Sequence, residues 1–79
     1  MNYNEYISYS NIVFGSNEFV RSLEYAKKAI TENPDAVEGY LCAGKACMSL
    51  DKYNEAIDFF KKALLKDKAN GNAFFFLDT

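Results

Sequence analysis

Shifted by 34 residues, the chain falls onto itself. Tyr6 meets Tyr40, Ile7 meets Leu41, Phe19 meets Tyr53, and Leu23 meets Ile57. Glu24 and Tyr25 meet Asp58 and Phe59, and Lys27-Lys28-Ala29-Ile30 meets Lys61-Lys62-Ala63-Leu64. A further copy starts after Asn70, where Phe74-Phe75 stands for Tyr40-Leu41 and Leu77 for Ala43. A period of roughly 20–50 residues constrains the fold more than composition can. Each unit is then one supersecondary element that cannot bury its apolar face alone, so neighbours must stack to make a continuous core. The units expected are residues 3–36, 37–70 and a partial one at 71–79.

Within a unit the apolar residues step by three and four. Tyr53, Ala56, Ile57, Phe60, Ala63 and Leu64 form one such stripe, and Phe19, Leu23, Ala26, Ala29 and Ile30 another. That is the period of an amphipathic helix. The segments before them are less clearly two-faced, as expected of helices buried on more than one side. No stretch alternates like a strand. Helices are predicted near 4–14, 18–32, 36–49, 52–66 and 71–77, an all-α chain of about five helices with antiparallel neighbours.

The punctuation agrees. Gly15-Ser16-Asn17 reads as a turn, with Ser16 or Asn17 capping the second helix. Asp35 and Glu38 read as a capping box, Pro34 as the stop before it, Asp51 as the cap near Lys52, and Asn70 as the cap near Gly71.

Residues 37–70 resemble the tetratricopeptide repeat. They carry an aromatic at Tyr40, a small pair at Ala43-Gly44, Cys47 where Tyr is usual, then Ala56, Phe60 and Ala63, with Lys68 where Pro is usual. Gly44 and Ala56 are expected where the two helices of the unit cross, because large side chains there would part the backbones. The first unit departs more. It keeps Tyr6, Ala29 and Pro34, has Ser10 and Ser22 at the small positions, and has Ala26 where a large aromatic is usual. Phe14 or Phe19 is expected to fill the volume that leaves. The resemblance implies a right-handed α-solenoid whose first helices line a concave groove, and a function in binding proteins or peptides.

Some members of that family grip a C-terminal carboxylate with a clamp of lysines, an arginine and asparagines. The matching positions here are Ile7, Asn11, Cys42, Asn72 and Phe76, of which only Asn11 fits. Without cations nothing offsets the desolvation of a carboxylate, so no clamp is expected. The groove is expected to be lined by Ile7, Asn11, Phe14, Glu38, Leu41, Cys42, Lys45 and Met48, with Phe75 and Phe76 beyond. Such a surface suits an apolar or amphipathic segment, with Met48 as an adaptable contact. The same stripe reads equally well as packing between neighbouring helices. The run Phe74-Phe75-Phe76-Leu77 is unusual for a terminal unit, whose outer face is normally polar. It is expected to be covered by a second copy of the chain, in a homo-oligomer formed through the C-terminal helix. The alternative reading of the function is then a self-assembling structural repeat element; further repeats would cover the run as well.

Other classes are disfavoured by what the sequence holds. The net charge is −2 with acids and bases interspersed, which argues against nucleic acid as partner. The paired lysines read as solvated cations suited to helix C-termini. No apolar run approaches the roughly 20 residues of a membrane span, and Met1–Phe14 lacks the pattern of a secretory signal. Cys42 and Cys47 lie five residues apart on different faces of one predicted helix, so they do not bridge. Unpaired cysteines fit a cytoplasmic setting. With no His and only these two Cys, no metal or other cofactor is expected. No phosphate loop or nucleophile motif is present, and the chain is not expected to be an enzyme.

Overall fold

The computed structural model describes residues 1–69, and the helix predicted at 71–77 lies outside them. Four helices follow in order: α1 (Tyr3–Gly15), α2 (Phe19–Glu32), α3 (Val37–Ser49) and α4 (Tyr53–Ala69). There is no strand among the described residues. Each helix packs on its neighbours in sequence, α1 on α2, α2 on α3 and α3 on α4. In the first pair Tyr6 meets Tyr25, Ser10 meets Ser22, and Phe14 meets Phe19. As one index rises its partner falls, so the helices run antiparallel. The architecture is an α-solenoid of helix pairs.

The turns inside the two pairs are built alike. Asn17 and Asp51 both take positive φ, 64° and 61°. Behind each, the next residue's N–H reaches back to close the preceding helix, Glu18 to the Val13 carbonyl at 2.9 Å and Lys52 to that of Cys47 at 2.8 Å. Asn17 and Asp51 likewise donate their N–H groups to the Phe14 and Met48 carbonyls. This is a Schellman closure, in which one left-handed residue lets two orphan carbonyls be satisfied. Asn and Asp tolerate that conformation better than most residues. It also corrects the predicted caps. Neither Ser16 nor Asn17 caps α2, whose N-cap is Glu18 with no side-chain bond. Asp51 is occupied as the left-handed residue, and its carboxylate accepts the Tyr53 hydroxyl at 2.8 Å.

The predicted Asp35–Glu38 capping box is absent as well. Asp35 stands one residue too early, since α3 is capped at Ala36 and begins at Val37. Asp35 faces Lys66 Nζ at 3.4 Å instead. The free N–H of Gly39 is taken by the Tyr3 hydroxyl, 3.1 Å away. A capping box does form at the start of α1. Glu5 N–H donates to Asn2 Oδ1 at 2.9 Å and Asn2 N–H to Glu5 Oε1 at 3.2 Å.

The core runs across both pairs. Leu23, Ala26, Cys42, Ala43, Ala46, Cys47 and Ala56 are buried together, with Ile7, Ile30, Leu50, Phe59 and Phe60 packed around them. Gly44 and Ala56 are both buried, but the closest approach at Gly44 is to the Phe60 ring. A Cβ there would lie 2.6 Å from Phe60 Cε1. The first pair has no such ring, and Ala26 is still fully buried. Neither Phe14 nor Phe19 fills in for it. They pack edge to face on each other, centroids 5.2 Å apart. Phe19 is seven residues, about 10 Å of helix, from Ala26.

Candidate functional site

The first helix of each pair contributes to one surface, and the link between them is specific. Asn11 on α1 and Lys45 on α3 stand one repeat apart. Lys45 Nζ donates to Asn11 Oδ1 at 3.4 Å, and the same oxygen faces Cys42 Sγ at 3.7 Å. A lysine has no acceptor, so the amide oxygen must turn toward it. The two N–H donors of Asn11 make no bond among the described residues, and Asn11 is exposed. The Lys45 ammonium also sits 5.0 Å above the Phe14 ring. A cation over an aromatic face is held electrostatically, worth about 0.5–1 kcal/mol at an exposed site. Asn11, Phe14 and Lys45 therefore form one continuous patch across α1 and α3, with the Cys42 thiol beneath Asn11.

The other expected groove residues divide by burial. Leu41 and Met48 are 41% and 47% exposed, and Glu38 is exposed. These are available to a ligand. Ile7 is half buried against the core, and Cys42 is only 4% exposed. Cys42 thus lies under the surface, where its thiol holds Asn11 in place. Burial pushes that thiol's pKa up, as it does for Cys47, so both stay protonated at neutral pH. Both cysteines are free. No group of three or more His, Cys, Asp or Glu is placed to hold a metal among the described residues.

Leu41 opens onto a second feature. An apolar cleft between α3 and α4 is lined by Val37, Leu41, Phe60, Ala63, Leu64 and Asp67. Sequence reasoning reached Leu41 through the groove but did not see the cleft, although the shared register of Leu64 and Ile30 was the available signal. It also missed Tyr3, whose hydroxyl ties α1 to the start of α3. Burial raises the pKa of that hydroxyl. The run Phe74-Phe75-Phe76-Leu77, expected to self-associate, lies outside the described residues, as do Asn72 and the other clamp position at Phe76. No helix among the described residues is long and apolar enough to cross a membrane.

Residues 37–70 match the sequence model of a family described as Tetratricopeptide repeat. No curated protein and no solved structure matches the chain.

Proposed function

Because the chain is a tetratricopeptide repeat protein, we propose that it binds an apolar or amphipathic peptide segment along its first helices. Modules of this family are in general non-catalytic and serve protein–protein interaction. Residues 3–36 act as a second repeat unit beside 37–70, and the groove spans both. What carries the reading is the Asn11–Lys45–Phe14 link, which joins the first helices of two units into one surface. Leu41 and Met48 supply apolar contact beside it, and the unused Asn11 N–H groups supply donors for a peptide carbonyl. Lys45 is a single cation already engaged by Asn11 and Phe14, so recognition does not depend on a terminal carboxylate.

The test is an array of synthetic peptides, amphipathic and polar, each made with a free and an amidated C-terminus. Amphipathic peptides should bind, and amidation should leave their affinity unchanged. Leu41→Glu and Met48→Glu should each weaken binding by about tenfold with little change in melting temperature, since both side chains are exposed. Equal binding by these variants would remove the groove from the account.

A further inference from the structure

The first helices of the two units carry matching rows of residues, and only one row is charged. Asn4 and Asn11 on α1 stand one repeat before Glu38 and Lys45 on α3. Ile7 and Phe14 stand one repeat before Leu41 and Met48. The rows match apolar for apolar, but where α1 has two amides α3 has an acid and a base. Few other charges compete with these. The charged residues of α1 and α3 together are Glu5, Glu38 and Lys45, and Glu5 is held in the capping box with Asn2. Neither Glu38 nor Lys45 has an ion-pair partner among the described residues. Lys45 is nevertheless held in place by Asn11 and the Phe14 ring. Residues 38, 41, 45 and 48 share one face of α3, because they step by three and four. The two charges lie about 10 Å apart along the helix axis, with Leu41 between them and Met48 beyond.

We propose that the partner segment is an amphipathic helix lying antiparallel to α3, with an acidic residue against Lys45 and a basic residue seven positions later against Glu38. The inference rests on the groove reading above and adds the shape, direction and charge order of the ligand. A segment crossing from α1 to α3 would meet one charge of α3 and miss the other, whereas one laid lengthwise meets both. An extended chain covers about 10 Å in three residues, which sends the two side chains to opposite faces. A helix covers the same distance in two turns and keeps both side chains on one face. Direction follows from the order of the charges. Run antiparallel, the ligand has its acid toward its N-terminus and its base toward its C-terminus, the order that its own macrodipole favours. Run parallel, the same contacts need the base first and the acid last, against that dipole. Glu38 and Lys45 are exposed, so the two ion pairs set the order of charge, and Leu41 and Met48 supply most of the affinity.

The experiment uses the full chain and two synthetic peptides of equal composition, acetylated and amidated, with the same apolar stripe. One carries Glu seven residues before Lys, and the other carries Lys seven residues before Glu. Calorimetric titration at low salt should favour the acid-first peptide by about three- to tenfold, and added salt should shrink the difference. The bound peptide should gain helical circular dichroism, and binding without that gain would contradict a helical ligand. The base-first peptide is the poorer helix by itself, so the decisive arm reverses the protein. In Glu38→Lys/Lys45→Glu the preference should turn to the base-first peptide. Equal affinity for both orders, or a preference that the reversed chain keeps, would overturn the inference and leave the groove reading standing. Binding of neither peptide by the native chain would overturn both. If the reversed chain does not fold, Glu38→Gln, at an exposed position, takes its place and should narrow the preference about twofold. An unchanged preference in that variant would overturn the inference.

Discussion

The two helix pairs solve the same close approach with different chemistry. In α3–α4, Gly44 gives up its side chain so that the Phe60 ring can lie against the backbone. In α1–α2, position 26 is Ala, no ring arrives, and Ser10 keeps a side chain. Ser10 Oγ donates to the Ser22 carbonyl at 2.8 Å, and Ser22 Oγ donates to the Ser10 carbonyl at 2.9 Å. Both serines are 1% exposed, and no buried side-chain polar atom among the described residues lacks a partner. A reciprocal pair of this kind can sit in a core because every group is satisfied. The two pairs thus show two combinations at matching positions: a hydroxyl at Ser10 with Ala26, and no side chain at Gly44 with Phe60.

The largest effect that would break this comparison is expected at Gly44. Gly44→Leu should destabilise the chain by about 3 kcal/mol, because the new side chain would have to displace the Phe60 ring. A melting temperature within a degree of the parent would show that the ring moves away freely. Ala56→Leu, also at a fully buried position, should cost about 1–3 kcal/mol by overpacking.

In the first pair the expected cost is smaller. Ser10→Ala removes one of the two reciprocal bonds, for about 1 kcal/mol by urea denaturation. No change would mean the hydroxyl pair adds nothing over small size alone.

The smallest effect is in alkali, and it falls on the second pair and its junction with the first. Burial raises the pKa of Cys42, Cys47 and Tyr3 above their ordinary values of 9.0, 9.0 and 10.0. The folded chain therefore holds protons that the unfolded chain releases. Stability from these groups is intact below about pH 9 and declines as pH rises through 9 and 10. The chain has no histidine to titrate nearer neutrality. Melting temperature should hold from pH 7 to 8 and fall from 9 to 10.5. Replacing both cysteines with Ala should shrink the decline.

The helices were legible because the apolar stripes recur every turn and the repeat shows them twice. Their limits match within a residue except at the end of α4, which runs to Ala69 instead of the expected 66. The cause was visible: Lys68 offers none of the obstruction that Pro34 does. The caps were less legible. Ser, Asn and Asp favour both N-caps and left-handed turn positions, and only the backbone decides which role Asn17 and Asp51 take. The residues expected to line a groove could be named from register, but register does not separate Leu41, which faces outward, from Cys42 beside it, which is buried. Nor does it show that Lys45 bridges to Asn11, a contact between side chains 34 positions apart.

The most direct test of the central claim is to move the second pair's solution into the first. The chain would be melted as Ala26→Phe, as Ser10→Gly, and as the double variant. Ala26→Phe alone should cost about 1–3 kcal/mol, since a ring would strike the side chain of Ser10. Ser10→Gly alone should cost about 1–2 kcal/mol from the lost bond and the weaker helix. If the two positions are one coupled device, the double variant should recover at least about 1 kcal/mol relative to the sum of the singles. Simple additivity would contradict the claim that both helix pairs are the same unit built in two ways.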